Sequence, residues 1–286
     1  TVNSEYQKAN RLSFISGLLV LFFLGSEMAF ADLRIDVTQG RADPMPIALN
    51  DFVDVDDNYN QVGSDISLVI AQNLERSGLF APINKEAFIK KAVPLDRRPE
   101  FSNWKVLNAQ AMVHGRVNIE ADGRLNIQFR LWDTFAEQQM VGNSYFTTPK
   151  NWRRVAHIIS DLIYRRITGE DGYVDTRIVY ISESGSKDRR RKRLAIMDQD
   201  GANHRFLTDG SDLVLTPRFS PTMQEITYLG YYNKQPRVYI FNIDTGQQEV
   251  LGDFPGMTFA PRFSPDGSKV IMSLAKSGVT DIYTMD

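Results

Sequence analysis

Few side chains in this sequence are of the types that catalyse reactions or bind metals. The 286 residues include no cysteine and only three histidines. Without cysteine there can be no disulfide, thiolate zinc site, iron–sulfur cluster or cysteine nucleophile. His114, His157 and His204 are far apart in the sequence, and we expect them in a strand, on a helix and in a turn. We therefore interpret each as a packing or surface residue rather than as a general base.

The glycine and serine patterns of nucleotide and hydrolase sites are also missing. No Gly-x-Ser-x-Gly segment occurs, and no two glycines stand two positions apart, as a dinucleotide-binding loop requires. The acidic pairs Asp56-Asp57 and Glu170-Asp171 fall in predicted loops, without the spaced oxygen ligands of a calcium loop. The sequence thus predicts no catalytic residue, no metal site and no cofactor.

The most concentrated charge is a basic run over residues 187–193, which holds six Lys and Arg side chains around Asp188. Such a run can bind nucleic acid or lipid headgroups. We favour a solvated hairpin loop between strands over 177–181 and 194–198, because no aromatic residue interleaves the charges. The formal net charge of −2 likewise favours no nucleic-acid partner.

The composition indicates a soluble globular chain of one or two domains. Hydrophobic residues make up 42% and charged residues 24% of the sequence. This composition is more apolar than that of a disordered chain and more polar than that of a protein with many membrane spans.

The first 31 residues have the features of a secretory signal. Lys8 and Arg11 precede an apolar run over 12–25, and Ala29-Phe30-Ala31 follows with the small-x-small pattern of a cleavage site. As a helix the run would reach about 21 Å, short of a hydrocarbon core of about 30 Å. We expect cleavage after Ala31 and export, with no membrane span in the mature chain; the alternative is a longer, uncleaved anchor.

Residues 32–172 alternate between helical and strand patterns, which predicts an α/β or α+β domain. A helix over 65–76 is predicted with Ser64 as its N-cap and Gly78 as its stop. Pro149 is predicted to open a last helix that Gly169 ends. Strands are predicted over residues 35–37, 46–49, 111–119, 124–132 and 138–146, the third and fourth joined by an Asp122-Gly123 hairpin turn.

Residues 173–286 lose the helical pattern and show an internal repeat. Pro217-Arg218-Phe219-Ser220-Pro221 recurs 44 positions later as Pro261-Arg262-Phe263-Ser264-Pro265. Strand patterns over 194–198, 238–242 and 282–286 keep the same spacing. A period of about 40–45 residues in short strands is typical of β-propeller blades. We expect the Ser-Pro-Asp-Gly segment at 264–267 to form the tight turn of a blade.

About two and a half such repeats fit into this segment, whereas a propeller ring needs about four to eight. We therefore expect the sequence to be incomplete at its C-terminus.

Together, a signal, a small α/β domain and Pro-x-Phe-Ser-Pro-Asp-Gly-Ser-Lys repeats resemble the TolB family of the Tol-Pal system. The segments that carry the resemblance span both regions: 32–35, 76–80, 113–115, 131–133, 143–145, 150–154, 164–169, 176–180, 215–221 and 259–269. The resemblance implies a six-bladed propeller after the α/β domain, of which about two and a half blades are present here.

The resemblance also implies a periplasmic scaffold without catalytic activity. Its partners would be the peptidoglycan-associated lipoprotein (Pal) and TolA, and its role would lie in outer-membrane integrity, protein transport and constriction at cell division. TolA would bind the mature N-terminal segment, which comprises Asp32, Leu33, Arg34, Ile35, Asp36 and Val37. Pal would bind the propeller mouth at Leu215, Thr216, Pro217, Arg218, Met257, Thr258, Phe259, Ala260, Pro261 and Arg262.

Two other readings stay open at the level of sequence. The repeats also occur in the propeller of secreted serine peptidases, for which a Gly-x-Ser-x-Gly domain would follow the propeller. A free-standing periplasmic propeller that binds a small ligand or glycan is the third possibility.

Overall fold

The computed structural model describes residues 33–35, 43–56, 58, 60–89, 93–252, 254 and 256–286. The predicted signal, with its cleavage after Ala31, lies outside the described residues, as do Asp32, Asp36 and Val37 of the predicted TolA segment. Those assignments stay predictions.

The first region is built on a five-stranded mixed sheet. The strands are β1 Met45–Leu49, β2 Phe80–Pro82, β3 Ala111–Ile119, β4 Leu125–Asp133 and β5 Gln138–Thr147. Their order in the sheet is β2-β1-β3-β4-β5. β1 is parallel to both of its neighbours, whereas β3, β4 and β5 form an antiparallel meander. The hairpin between β3 and β4 turns at Gly123 with a φ of 82°, as the Asp-Gly signal predicts.

Two long helices cover one face of this sheet and pack against each other. They are α1 (Gln61–Arg76) and α3 (Trp152–Thr168), and a short helix α2 (Ser102–Lys105) lies between them in the sequence. Their apolar stripes join the sheet in one core, which includes Ile66, Ile70, Ile159 and Ile163. The predicted α/β domain is therefore present.

The starts of both long helices differ from those predicted from the sequence. α1 begins four residues earlier than predicted, because Asn60 rather than Ser64 is its N-cap and accepts from the backbone N of Gly63 at 3.0 Å. α3 begins at Trp152 rather than at Pro149. It ends as predicted, since Gly169 takes the left-handed conformation with a φ of 81°.

The second region consists of three antiparallel meander sheets, which we call blades 1, 2 and 3. In each blade every strand pairs with the next in sequence, as in a β-propeller. Blade 1 holds β6 Arg177–Ser184, β7 Arg191–Asp198 and β8 Arg205–Phe206; blade 2 holds β9 Val214–Phe219, β10 Glu225–Gly230, β11 Arg237–Asn242 and β12 Gln248–Val250; blade 3 holds β13 Met257–Phe263, β14 Val270–Lys276 and β15 Val279–Met285. Over the described residues, no helix is both long and apolar enough to cross a bilayer.

The 44-residue repeat is visible in the backbone. Thr216 in β9 and Ala260 in β13 occupy the same repeat position, and both have a positive φ, 48° and 55°. At each site the pairing with the next strand shifts register, which marks a β-bulge. In blade 3 the Ser-Pro-Asp-Gly turn forms as expected: Gly267 has a φ of 74°, and Asp266 accepts from the backbone N of Ser268 at 3.1 Å.

The basic run is only partly the loop that the sequence predicts. Residues 185–190 connect β6 to β7, but 191–193 are the first residues of β7. Glu183 on β6 pairs with Lys192 at 2.8 Å and with Arg190 at 2.9 Å. The strand extends because β6 is longer than predicted and provides partners for three more residues of β7.

Candidate functional site

A cavity of about 890 Å³ lies between helix α3 and the strand ends of blades 1 and 2. Its wall carries cationic side chains from both regions, Arg154 among them, together with the carboxylates Asp175 and Asp198. The lining residues are Lys150, Asn151, Arg154, His157, Asp175, Thr176, Arg177, Ile196, Met197, Asp198, Asn203, Arg205, Phe219, Ser220, Pro221, Gln224 and Asp244.

A buried polar cluster closes the inner side of this cavity. The Asn73 side-chain amide on α1 lies 3.0 Å from Nδ1 of His157 on α3 and donates to Oγ of Ser160 at 3.0 Å. Gln199, in the turn after β7, donates to Oδ1 of Asn73 at 3.5 Å. The cluster therefore joins both helices of the first region to blade 1.

The other ring nitrogen of His157 faces two carboxylates of blade 1. Nε2 lies 3.8 Å from Oδ2 of Asp198 and 3.7 Å from Oδ2 of Asp200, and it has no hydrogen-bond partner. The His157 side chain is only 2% exposed. Burial lowers the pKa of His157 below its ordinary value. Asp200 and Asp198 act to raise this pKa, but the effect of burial is larger.

Asp200 is held in place from two sides. Its Oδ1 accepts from the backbone N of Ala202 at 3.0 Å, and its Oδ2 accepts from the Arg153 guanidinium at 2.6 Å. Burial alone would raise the pKa of Asp200, but these hydrogen bonds lower it below its usual range. Asp198 accepts from Nδ2 of Asn203 at 2.6 Å. Both carboxylates are thus fixed in orientation.

His114 is a core residue, as expected. It lies in β3 with no exposed surface, Nδ1 contacts the carbonyl of Val93 at 3.1 Å, and Nε2 accepts from Nε1 of Trp132 at 2.9 Å. Burial lowers its pKa to about 4. The third histidine, His204, packs edge-on to Phe206 in the connection before β8. Neither residue has the arrangement of a general base with a nucleophile beside it.

A Ser-Lys-Asp group occurs in the first region, but its geometry is structural. Oγ of Ser67 on α1 donates to Oδ1 of Asp51 at 2.9 Å, and Nζ of Lys85 donates to both side chains. Ser67 has no exposed surface, so no substrate can reach its hydroxyl. Burial would raise the pKa of Asp51, but the bonds from Lys85 and Ser67 keep it below its usual range. The group stabilises the start of α1 rather than supplying a nucleophile.

The described part of the predicted TolA segment lies docked on the first region. Leu33 and Ile35 are half-buried against its core, and the backbone N of Ile35 donates to the carbonyl of Ile167 at 2.9 Å. Arg34 is exposed and lines a shallow cavity at the end of α3. The backbone bond from Ile35 and the two half-buried apolar side chains thus contribute to holding Leu33–Ile35, which we call the tail, on the first region.

The predicted Pal mouth falls on two neighbouring strands, β9 and β13. Thr216, Arg218, Met257, Ala260 and Arg262 are exposed. Leu215, Pro217 and Phe259 are partly buried, and Pro261 is buried. Thr258 has no exposed surface; its Oγ1 accepts from the backbone N of Val238 at 2.9 Å and so links blades 2 and 3. The fold thus brings the two stretches together, and Arg218 and Arg262 are their charged, exposed members.

The cluster between the two regions is not predicted from the sequence. His157 lies on α3, Asp198 ends β7 and Asp200 lies in the turn that follows. Neither their spacing nor their residue types distinguish them from surface residues in the sequence. The available signal was the His on the apolar side of the predicted last helix, where a polar group needs a partner.

Comparison with known proteins matches both regions to one family. The family described as the TolB amino-terminal domain matches residues 33–140, and the TolB beta propeller domain matches residues 164–286. The crystal structure of TolB from Acinetobacter baumannii is similar with a TM-score of 0.72 and 27% identity. That similarity covers 86% of this chain and 58% of the other, so this chain spans little more than half of that relative's length.

Two further solved structures show weaker likeness. A TolB-type protein from Agrobacterium tumefaciens has a TM-score of 0.34 at 16% identity, over 59% of this chain and 60% of that one. An acylaminoacyl peptidase from Pyrococcus horikoshii has a TM-score of 0.28 at 11% identity, over 34% of this chain and 15% of that one. Likeness at these levels carries no functional argument.

Proposed function

Because the chain belongs to the TolB family, we propose that it is a non-catalytic protein-binding scaffold of the periplasmic Tol-Pal system. In this role it links Pal to TolA and contributes to outer-membrane integrity and to constriction at cell division. The observation that carries the proposal is the succession, in one chain, of a TolB amino-terminal domain and a TolB propeller. A peptidase propeller is not expected to follow the first of these domains, so the scaffold is favoured over the peptidase alternative.

The tail at Leu33–Ile35 suits the proposed TolA site. An extended segment can add as an edge strand to a partner's sheet, where its backbone N–H and C=O groups supply the affinity. Here the backbone N of Ile35 is already bonded to Ile167. A partner that binds the tail must therefore compete with its docking on the first region. A ligand that favours either the docked or the released tail shifts the population of both states.

The exposed arginines suit the proposed Pal site. Arg218 and Arg262 stand at the same position of consecutive repeats, and each is exposed. Each donates from Nη1 to the carbonyl of the proline before it, at 2.9 Å and 3.0 Å. A pair of pre-oriented guanidinium groups on neighbouring blades favours a partner surface with carboxylates.

Binding of the soluble domains of Pal and TolA, measured by calorimetry, tests the proposal. Deletion of residues 32–37 should abolish TolA binding and leave Pal binding intact. The double variant Arg218→Glu/Arg262→Glu should weaken Pal binding at least tenfold and leave TolA binding intact. Arg124→Glu, in the exposed β3–β4 turn of the first region, is the matched control and should change neither. Absence of binding to both partners would contradict the scaffold role.

A further inference from the structure

We propose that His157, Asp198 and Asp200 bind a divalent transition-metal ion, for which zinc is the probe, where helix α3 meets blade 1. One potential ligand atom from each of the three residues lies within 4.8 Å of the other two. Imidazole with two carboxylates is a donor set that zinc uses in proteins. The inference concerns a different surface from the proposed partner sites and does not depend on them.

The strongest observation is the unsatisfied ring nitrogen. Nε2 of His157 is buried, has no hydrogen-bond partner, and points at two carboxylate oxygens 3.7 and 3.8 Å away. These separations are too long for an N–H···O hydrogen bond, which needs about 2.7–3.2 Å. Ligands on a tetrahedral ion with bonds of about 2.0–2.1 Å stand roughly 3.4 Å apart. A contraction of less than about half an ångström would therefore bring Nε2 to that spacing from each of the two oxygens.

The charges in direct contact with the gap favour a cation, although the cavity wall beyond it also carries arginines. Asp198 and Asp200 provide two negative charges, Arg153 is bonded to Oδ2 of Asp200 at 2.6 Å, and Arg154 is paired with Asp175. One negative charge is left over in this buried group while His157 is neutral, and a bound cation would compensate it. Both Nε and Nη2 of Arg153 donate to Oδ2 of Asp200, at 3.1 and 2.6 Å, and Nδ2 of Asn203 donates to Oδ2 of Asp198 at 2.6 Å. A bound ion would displace the longer bond from Arg153 and take the remaining lone pair of Asp198 Oδ2.

The surroundings supply the remaining needs of a metal site. The amide nitrogen of Asn73 lies 3.0 Å from Nδ1 of His157, so Nδ1 accepts and Nε2 carries the ring proton in this arrangement. Binding of an ion at Nε2 would release that proton or shift it to Nδ1. In the second case the Asn73 amide would turn its oxygen to the ring and give up its bond from Gln199. His157 and Asp198 also line the cavity of about 890 Å³. That cavity gives an ion a path from solvent and leaves room for a water ligand.

Bound there, the ion would tie the first region to the propeller. His157 belongs to α3, whereas both carboxylates belong to the end of β7 and the turn after it. Coordination would therefore stabilise the arrangement of the two regions by mass action, in proportion to the free ion concentration. The sequence alone predicts no metal site, because the three ligands converge only in the folded chain.

The test is a zinc titration of the full chain by calorimetry after chelator treatment, with Mg²⁺ in parallel. We expect one zinc ion per chain and at least tenfold weaker binding of Mg²⁺. His157→Gln and Asp198→Asn should each weaken zinc binding at least tenfold. His204→Gln, which removes an exposed histidine on the connection after β7, is the matched control and should bind zinc as the parent does.

Two further measurements separate coordination from a packing role. Visible absorption of the Co²⁺-loaded chain should show the bands of a four-coordinate ion and lose them in Asp198→Asn. Asn73→Asp should tighten zinc binding, because a carboxylate holds the proton on Nδ1 and makes Nε2 a better ligand. No zinc binding by the parent chain, or equal affinity in the parent, Asp198→Asn and Asn73→Asp, would overturn the proposal.

Discussion

The side-chain amide of Asn73 lies 3.0 Å from Nδ1 of His157, across the contact between α1 and α3. The same amide reaches Ser160 on α3 and Gln199 on blade 1. Asn73, His157 and Ser160 are each at most 2% exposed. One buried amide therefore connects the two long helices of the first region with the first blade. Its loss should destabilise the first region and its contact with blade 1.

Replacing this amide should destabilise the chain. In Asn73→Leu the ring nitrogen Nδ1 of His157 loses its buried partner, whereas the hydroxyl of Ser160 keeps its bond to the carbonyl of Ala156 at 2.8 Å. A buried polar group left unsatisfied costs about 1–3 kcal/mol. We therefore expect the free energy of unfolding, measured by urea denaturation, to fall by about 1–3 kcal/mol. Asn143→Ala, an exposed asparagine on β5, is the control and should change it by less than about 0.5 kcal/mol. Equal effects would show that the buried amide contributes nothing special.

His114 should make the stability of the first region depend on pH. Its pKa is lowered to about 4 in the folded chain, against an ordinary value of 6.5. Between these values the unfolded chain binds the extra proton, so folding stability is full above about pH 6.5 and falls as the pH drops toward 4. At about 1.4 kcal/mol per pKa unit the loss is on the order of 3 kcal/mol. Trp132, which bonds to this ring, makes tryptophan fluorescence a local probe of unfolding.

The comparison that isolates His114 is between two histidine variants. His114→Gln removes the titrating ring, so it should lower stability at pH 7 and flatten the slope between pH 6.5 and 4. His204→Gln, which alters a surface histidine, should keep the parent slope. A slope in His114→Gln as steep as in the parent would assign the pH dependence to other groups.

Local signals in the sequence located most of the fold. The Asp-Gly turn, the helix stop at Gly169 and the 44-residue spacing each depend on residues within a few positions or on a repeat, and each was predicted correctly. The predicted start of α1 is wrong because Asn60 and Ser64 are both good N-caps, and which of them caps the helix depends on how the chain enters from β1. The predicted length of β7 is wrong because its first residues pair with β6, a tertiary contact that overrides their charge.

Local sequence patterns do not predict the cluster between the two regions either, because it also depends on a tertiary contact. His157 and Asp200 are 43 positions apart and meet only when α3 packs on blade 1. No periodicity or motif links a helix residue to a turn in the next domain. By contrast, the extended segment at Leu33–Ile35 could be selected from the sequence, but its docking on Ile167 could not, since a β-branched tail has many possible acceptors.

The β-bulge that blades 2 and 3 share predicts whether a glycine at its left-handed position stabilises or destabilises the chain. Ala260 has a φ of 55°, a conformation that costs an L-residue roughly 1–2 kcal/mol and glycine almost nothing. Glycine loses about 0.5–1 kcal/mol of chain entropy relative to alanine in a regular strand. Ala260→Gly should therefore be neutral or stabilising, by up to about 1 kcal/mol, in hydrogen exchange of β13 and β14. Ala275→Gly, in the regular part of β14, should destabilise the same amides; destabilisation by both would contradict a left-handed bulge at residue 260.

The docked tail can be tested by protease access at Arg34. The backbone bond from Ile35 to Ile167 and the half-buried Leu33 and Ile35 side chains together hold the segment by about 2 kcal/mol. Trypsin cleaves only the undocked chain, so Ile35→Asp should speed cleavage after Arg34 at least tenfold. Val106→Asp, at a side chain 79% exposed in the first region, adds the same charge elsewhere and should leave the rate unchanged. If Ile35→Asp and the parent are cleaved equally fast, the contacts to Ile167 do not hold the tail, and release from docking cannot be the step that a partner exploits.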